Sequence, residues 1–412
     1  MNRQRLLQRL LDYTRIGTPA DPASETYPSS AVQKDLGRLL EKELLQMSAD
    51  DVRMDPHGLV WATVPATDGI SSSSPTVALI AHMDTSPEAP GVDVKPQVIE
   101  HYQGGDITLE NGETITVDST PQLKDLIGCT LITTDGSTLL GGDDKCGVAI
   151  IMELAHHLIE NPHLTHGPVR VLFTCDEEIG HGTDKINLNE LNATVAYTLD
   201  GGGSNVLDVE TFSADGARIT FTGSNIHPSI AKGRMVNALR GAGNFLDRLP
   251  RDHTSPETTD QRQGFIHPHT IRGGVGSAEL DLILRSFDTA DLETYAQQLR
   301  QTALEVESDF PGLSVRVDVF RQYRNMGDGL RGMPASIDLA EQAFKNLGRP
   351  CSKEIIRGGT DGSALTEKGL PTPNLSSGQH NIHSVHEFAC LEEMVAATQH
   401  LVELLRLWAQ PT

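Results

Sequence analysis

Three apolar runs of the chain each end abruptly in acidic or histidine side chains. They are PTVALIAHMDTS at residues 75–86, VRVLFTCDEEIG at 169–180 and ATVAYTLDGGG at 193–203. Apolar runs of this length are typical of parallel strands that are buried on both faces. In sheets of that kind, ligands bind at the carboxyl ends of the strands. The pattern therefore predicts a doubly wound α/β domain with a mostly parallel sheet and a polar site along one edge.

A glycine-rich segment, TTDGSTLLGGDDKCG at residues 133–147, leads into the apolar stretch 148–159. Its glycines allow the backbone to turn sharply and to approach a bound group closely. We expect a strand to end before this segment and a helix to begin within it, near Asp143. Asp143 or Asp144 could serve only as the helix N-cap, which Asp commonly provides, or could bind a cation. The segment alone leaves both interpretations open.

The length of the chain, 412 residues, exceeds one ordinary core and predicts two domains. The pattern of strands and helices changes near residue 208 and returns near residue 327. We expect residues 1–208 and 327–412 to form the α/β domain, and residues 209–326 to form an inserted α+β domain. Helical periodicity is expected at 1–17, 30–47, 235–249, 290–306, 334–346 and 391–408, and strands in the insertion at 217–222, 277–287 and 313–320.

The charge of the chain limits its partners. Lys and Arg number 33 against 56 Asp and Glu, a formal charge of −23, which argues against nucleic acid and anionic membranes. The N-terminus MNRQRLLQRLLDYTRI predicts an amphipathic helix and not a signal peptide, and no apolar run reaches membrane-spanning length. Five cysteines without CxxC spacing favour reduced thiols and a cytoplasmic location.

Carboxylates and imidazoles recur at the predicted strand and loop ends. Three consecutive acids at 176–178 end one buried strand, which is costly unless a cation compensates their charge. Taken singly, each position is also compatible with an incidental polar strand end or a solvated loop. Taken together, they predict a site for two divalent ions, zinc by preference with manganese or cobalt as substitutes, bridged by Asp143. The expected ligands are His82, Asp143, Glu178, Asp200 and His383.

Four further polar residues stand where they could contact a ligand. Arg357 precedes GGTDGS, a glycine-rich loop before a helix that could hold a carboxylate or phosphate. Each of the four also has a structural explanation, as a turn histidine, a helix cap or a surface arginine. The residues are His227, Asn237, Arg285 and Arg357.

Seven motifs, spread in order over nearly the whole chain, resemble those of one enzyme family. They are AHMDTSP, LITTDGSTLLGGDDKCG, FTCDEEIGHG, AYTLDGGG, NIHPSIAKGRMVNAL, IRGGTDGSAL and HSVHEF. The chain resembles the tripeptide aminopeptidases of the peptidase T family, a branch of the co-catalytic di-zinc exopeptidases that include aminoacylase and glutamate carboxypeptidase. The resemblance implies a zinc-dependent enzyme that releases the N-terminal residue of tripeptides. It also implies that the inserted domain is ferredoxin-like, acts as a lid and forms a homodimer.

The resemblance implies a role for each matching position. His82 and Asp200 would bind one zinc ion, Glu178 and His383 would bind the other, and Asp143 would bridge the two. A second set would act on the substrate or position other groups. Its members are Glu177 as general base, Asp84 orienting His82, His227 stabilising the oxyanion, and Arg285, Arg357 and Asn237 binding the terminal carboxylate.

Two other functions stay open. A related di-zinc amidohydrolase or dipeptidase would act on N-acyl amino acids or dipeptides. A non-catalytic peptide- or metal-binding protein could use the same scaffold, but it would need ligands and no general base. The presence of Glu177 argues against that possibility.

Overall fold

A computed structural model of the chain describes residues 1–71 and 73–410. Their backbone divides into two compact units. The first unit comprises Met1–Val209, Gly329–Glu354 and the residues from Thr360 onward, and the second comprises Glu210–Asp328 and Ile355–Gly359. The bounds expected from sequence place Ile355–Gly359 in the first unit, whereas in the structure Arg357 of this segment stacks on Phe212 and Phe265 of the second.

The described residues form ten α-helices and seventeen β-strands. The helices are α1 (Arg3–Thr14), α2 (Gln33–Gln46), α3 (Gly142–Glu160), α4 (Leu188–Leu191), α5 (Ala238–Arg248), α6 (Thr289–Asp309), α7 (Met326–Leu330), α8 (Ala335–Asn346), α9 (Asp361–Glu367) and α10 (Leu391–Trp408). Across the part of the chain that the structure describes, no helix has both the length and the hydropathy needed to cross a bilayer.

The strands are numbered in the same way along the chain. They are β1 (Asp50–Met54), β2 (Val60–Val64), β3 (Val77–His82), β4 (Gln97–Ile99), β5 (Ile107–Thr108), β6 (Thr114–Ile115), β7 (Leu131–Thr133), β8 (Val169–Thr174), β9 (Val195–Gly202), β10 (Val206–Thr211), β11 (Ser213–Thr222), β12 (Phe265–Gly273), β13 (Ser277–Ser286), β14 (Ser314–Tyr323), β15 (Ser352–Ile356), β16 (Asn374–His380) and β17 (Phe388–Cys390).

The large sheet has the strand order β1-β2-β8-β3-β9-β16-β17-β7-β4, with β10 pairing β15 and β16. Its centre is parallel, since β3 pairs with β8 and β9, and β9 with β16, in the same direction. The outer pairs are antiparallel. The predicted mixed α/β class is confirmed, and a continuous run of parallel pairs joins β8, β3, β9 and β16. The carboxyl ends of these four strands therefore meet along one edge.

Helix α3 lies at the centre of the first unit's core. Its residues from Gly142 to Ala155 are all buried, and it packs against β3, β9, β16, α1 and α10. Residues 146–155 of this helix are apolar on all sides apart from Glu153, and a helix of that kind is expected to be buried. At Gly147 a Cβ atom would lie 2.4 Å from the carbonyl oxygen of Leu199, so only glycine allows α3 to approach β9 this closely.

The second unit is built on a four-stranded antiparallel sheet with the order β12-β13-β11-β14. Burial alternates along β13, and its buried side chains form one core with those of α5 and α6. This α+β arrangement has the class expected for the insertion, although β12 was not predicted. Helix α5 begins at Ala238 and not at residue 235, because Asn237 caps it and Val236 pairs with Ser224 in an isolated bridge.

Candidate metal centre

The carboxyl ends of the central strands gather the five expected ligands. His82 is the last residue of β3, and Asp200 lies near the end of β9. Glu178 follows β8 in a single 3₁₀ turn, Glu177–Ile179. Asp143 lies in the first turn of α3, and His383 follows β16.

The two imidazoles face different oxygens of the same carboxylate. His82 Nε2 lies 3.0 Å from Asp143 Oδ1, and His383 Nε2 lies 3.2 Å from Asp143 Oδ2. His383 Nε2 also lies 2.9 Å from Glu178 Oε2, and His82 Nε2 lies 3.9 Å from Asp200 Oδ1. Asp143 thus stands between a His82–Asp200 pair and a His383–Glu178 pair.

The electrostatics of this cluster favour a positive charge at its centre. Burial would raise the pKa of Asp143, but hydrogen bonds with His383 and His82 hold it below its ordinary value. Burial and the nearby charges of Asp143 and Asp144 raise the pKa of Asp200. Hydrogen bonds to Asp143 and Glu178 raise the pKa of His383 to about 11. The carboxylates of Asp143, Glu178 and Asp200 lie close together, so their ionised forms depend on cationic partners.

The donor set fits a pair of divalent cations. Three carboxylates and two imidazoles are ligands that zinc accepts. Glu178 Oε1 is buried and has no hydrogen-bond partner among the described residues, as expected of an oxygen that faces a cation. One atom from each of His82, Asp143 and Glu178 lies within 4.8 Å of the others, and the same holds for His82, Asp144 and Asp200.

Glu387 holds the loop that carries Asp143. Its buried carboxylate accepts the backbone N–H groups of Leu140 and Gly141 at 2.8 Å each, and that of Asp143 at 2.9 Å. Gly141 has a φ of 74°, a left-handed conformation that suits glycine. Glu387 is not among the residues predicted for the site, although it lies in the motif HSVHEF. Its partners lie 244 or more residues away, so local pattern could not reveal them.

The Asp84 carboxylate contacts the turn that carries Glu177 and also lies near His82, the group it is expected to orient. Its two oxygens accept the backbone N–H groups of Glu177 and Glu178, both at 3.1 Å. His82 Nδ1 lies 3.1 Å from the backbone carbonyl oxygen of Asp84 and 3.5 Å from its Oδ1. An imidazole that donates from Nδ1 to that carbonyl presents Nε2 as a ligand. Asp84 therefore orients His82 chiefly through its main chain, while its carboxylate holds the turn that carries Glu177.

Glu177 is half-buried beside the cluster. Burial raises its pKa; the nearby His82 opposes this shift, and the charges of Asp361 and Glu178 add to it. A carboxylate with a raised pKa, held next to a cation site, is suited to accept and return a proton.

Two residues of β16 that are not among those predicted for the site support Asp200. Asn374 Oδ1 accepts the backbone N–H of Asp200 at 3.0 Å. Gln379 Nε2 donates to the Asp200 carbonyl oxygen at 3.1 Å and to Oδ1 at 3.0 Å. Strand β16, NLSSGQH, is buried along almost its whole length yet mostly polar. Buried polar side chains need partners, and here those partners are parts of the candidate site.

The other four predicted residues belong to the second unit, where His227 and Asn237 have local roles. Asn237 Oδ1 accepts the backbone N–H of Leu239 at 3.0 Å, which is the helix cap considered from sequence. His227 is exposed, and its Nδ1 accepts the backbone N–H of Ser229 at 3.3 Å. Because Nδ1 is an acceptor, the neutral ring carries its proton on Nε2, which leaves that N–H as a donor.

The two arginines also make contacts within the second unit. Arg285 donates to the carbonyl oxygens of Leu284 at 3.0 Å and Asp215 at 3.3 Å, and stacks over Tyr323. Arg357 donates to the carbonyl oxygens of Gln261 at 2.8 Å and Gln263 at 2.9 Å. These contacts give Arg357 a structural role in holding the loop at residues 259–263, while its role in substrate binding stays a prediction.

A mixed α/β unit with buried carboxylates and imidazoles at its strand ends has the architecture of a metal-dependent hydrolase. Comparison with family models gives the class: the model for peptidase family M20/M25/M40 matches residues 134–407. The chain belongs to this peptidase family.

Within the family, the chain is similar to Peptidase T from Geobacillus kaustophilus, with 40% identity over 410 residues that cover 99% of each chain. Among solved structures, aminopeptidase PepT from Bacillus cereus has a TM-score of 0.76 at 21% identity, with 100% of both chains covered. The Bacillus subtilis YXEP protein, a dinuclear metal-binding peptidase of the M20 family, has a TM-score of 0.66 at 15% identity over 98% of both chains. These two structures support the fold.

Proposed function

We propose that the chain is a metal-dependent aminopeptidase that releases the N-terminal residue of tripeptides. The observation that carries the proposal is the position of Asp143, whose two oxygens each face a different imidazole within a buried set of carboxylates. Full-length similarity to a Peptidase T supplies the substrate class.

Two zinc ions would suit the five residues: His82 and Asp200 would hold one, Glu178 and His383 would hold the other, and Asp143 would contribute to both. Manganese or cobalt are chemically acceptable substitutes. When bound, a pair of such ions polarises the scissile carbonyl and makes water a stronger acid. Glu387, Gln379 and Asn374 hold the ligand-bearing backbone and side chains in place, which limits the reorganisation that binding requires.

Glu177 acts as the general base. Its carboxylate takes a proton from the attacking water and returns it to the amine that leaves as the peptide bond breaks. Asp84 fixes the position of Glu177 because its Oδ1 accepts the Glu177 backbone N–H at 3.1 Å. Removal of the base should therefore abolish turnover and leave the cation ligands intact.

The second unit supplies the remaining substrate contacts in this proposal. His227 donates from Nε2 to the oxyanion that develops on the scissile carbonyl, a contact of a kind worth roughly 3 kcal/mol of the barrier. Arg285, Arg357 and the weaker candidate Asn237 bind the terminal carboxylate. The unit also acts as a lid and forms a homodimer, and the enzyme acts in the cytoplasm.

The test is hydrolysis of matched di-, tri- and tetrapeptides and one N-acetylated tripeptide, before and after chelation and zinc readdition. We expect cleavage of the free-amine tripeptide, loss on chelation and recovery with zinc. Hydrolysis restricted to dipeptides or N-acylated substrates would assign the chain to the dipeptidase or amidohydrolase reaction. No zinc-restored hydrolysis of any member would contradict the proposed function.

A further inference from the structure

A cavity of about 600 Å³ opens beside the candidate metal centre in the first unit. Asp200 lies in its wall, together with Gly202 and Gly203 at the end of β9. A Cβ atom at Gly203 would meet nothing closer than 3.6 Å, so the glycines leave space next to Asp200 without a tight fit to a neighbour. The volume is large enough for one amino-acid residue with its side chain.

The wall of this cavity is strongly acidic. Among the described residues that line it, none is Lys or Arg. Burial and the nearby charge of Glu354 raise the pKa of Asp208 to about 6, against an opposing hydrogen bond from Asn374. A peptide carboxylate would be repelled here and a cationic group attracted. The carboxylates in the wall are Asp125, Asp200, Asp208, Glu354 and Glu393.

Gln379 gives a second, independent indication that the cavity binds a ligand with a hydrogen-bond donor. Its side chain is about 1% exposed and lies in the cavity wall. Its amide orientation is determined, because Nε2 donates to two acceptors, the carbonyl oxygen and Oδ1 of Asp200. The remaining atom, Oε1, is buried and has no partner among the described residues. A buried acceptor without a donor is destabilising, and a ligand N–H group that reached Oε1 would supply the missing hydrogen bond.

We propose that this cavity is the subsite for the amino-terminal residue of the peptide, and that it favours a cationic side chain on that residue. The inference rests on the proposed function and adds a side-chain preference to it. The α-ammonium group lies toward Asp200 and Gln379, next to the bond that is cleaved. A lysine or arginine side chain extends toward the carboxylates of Asp208 and Glu354.

The apolar part of the wall suits the stem of such a side chain. Leu126, Val206 and Ile382 lie among the acids. Lysine and arginine side chains commonly pack their methylene groups on apolar surface while the charged end contacts polar groups. A negatively charged side chain of equal length would gain the same apolar contact and lose the electrostatic attraction.

The experiment compares tripeptides X-Gly-Gly in which X is lysine, norleucine or glutamate. Lysine and norleucine have similar stems, so the ratio of their kcat/KM values measures the effect of charge. We expect a ratio of about ten in the wild type, as for one cation near partly buried carboxylates. Glu354→Gln and Asp208→Asn should each reduce that ratio about two- to fivefold. Glu25→Gln, which removes the same charge from an exposed position outside the cavity wall, should leave it unchanged.

A binding measurement separates this inference from the proposed function. Calorimetry with the Lys and norleucine tripeptides whose first peptide bond is replaced by CH₂–CH₂ reports the same preference without turnover. Tighter binding of the Lys analogue, reduced by Glu354→Gln, would support the subsite even if no tripeptide were hydrolysed. Equal binding and equal kcat/KM for lysine and norleucine, or a preference for glutamate, would overturn it.

Discussion

Replacement of Glu387 by glutamine tests how the Asp143 loop is positioned. The carboxylate accepts two N–H groups at Oε2 and that of Asp143 at Oε1. Glutamine has one acceptor oxygen, so it can serve either the Leu140 and Gly141 pair or Asp143. In either case its NH₂ group faces a buried N–H. The loss of one charge-assisted bond and the unpaired buried donor together cost about 2–4 kcal/mol.

The assay is the thermal midpoint of the chelated protein, followed by zinc affinity in competition with a chromophoric chelator. A cost of this size lowers the midpoint by about 4–8 °C for a unit of this length. We also expect zinc affinity to fall about tenfold or more, since ligand-supporting residues commonly have such effects. Glu25→Gln, an exposed position, is the control. A midpoint within about 1 °C of wild type, together with unchanged zinc affinity, would refute the assigned role of Glu387.

Two further predictions concern the general base and a buried histidine. Glu177→Gln should lower kcat at least a thousandfold while zinc binding stays at the wild-type level, measured by steady-state kinetics and metal analysis; turnover within a few-fold of wild type would exclude Glu177 as the base. His400 is buried, lies 2.9 Å from the carbonyl oxygen of Ala340 and stacks on Phe344, and burial lowers its pKa to about 4. In the unfolded chain His400 becomes protonated below pH 6.5, whereas in the folded chain it stays neutral down to about pH 4. The free energy of unfolding should therefore fall by about 3 kcal/mol as the pH drops through that window. His400→Gln removes this titration, and equal dependence of the thermal midpoint on pH in the two proteins would contradict the prediction.

The class of the fold and the grouping of the candidate ligands follow from local pattern. Apolar runs that end in His82, Glu178 and Asp200 predict parallel strands, and parallel strands bring their carboxyl ends to one edge. The structure has these strands as β3, β8 and β9, and it brings the three side chains together with Asp143 and His383. The ligand roles themselves stay a proposal.

The contacts that position these groups could not be predicted in the same way. Glu387, Gln379 and Asn374 act on partners 174 or more residues away, and nothing local distinguishes them from solvated polar residues. Arg357 illustrates the opposite case. Its glycine-rich neighbourhood predicts a site for a carboxylate or phosphate, and the pattern gives no sign that four of its hydrogen bonds go to Thr259, Gln261 and Gln263.

The bounds of individual elements depended on similar long-range pairing. Strand β1 follows α2 closely and was not predicted, and its antiparallel pairing with β2 gives it its strand character. Strand β12 contains Pro268, which periodicity alone would assign to a loop, yet it pairs with β13 around an irregularity in register at that point.

The most direct test of the account is the zinc content of the purified protein after metal removal, reloading and dialysis. The account predicts two zinc ions per chain for the wild type, about one for Asp200→Asn, and fewer than one for Asp143→Asn, since that variant alters the carboxylate shared by both ions. A wild-type chain that retains no zinc, or an Asp143→Asn variant that retains two ions, would contradict it.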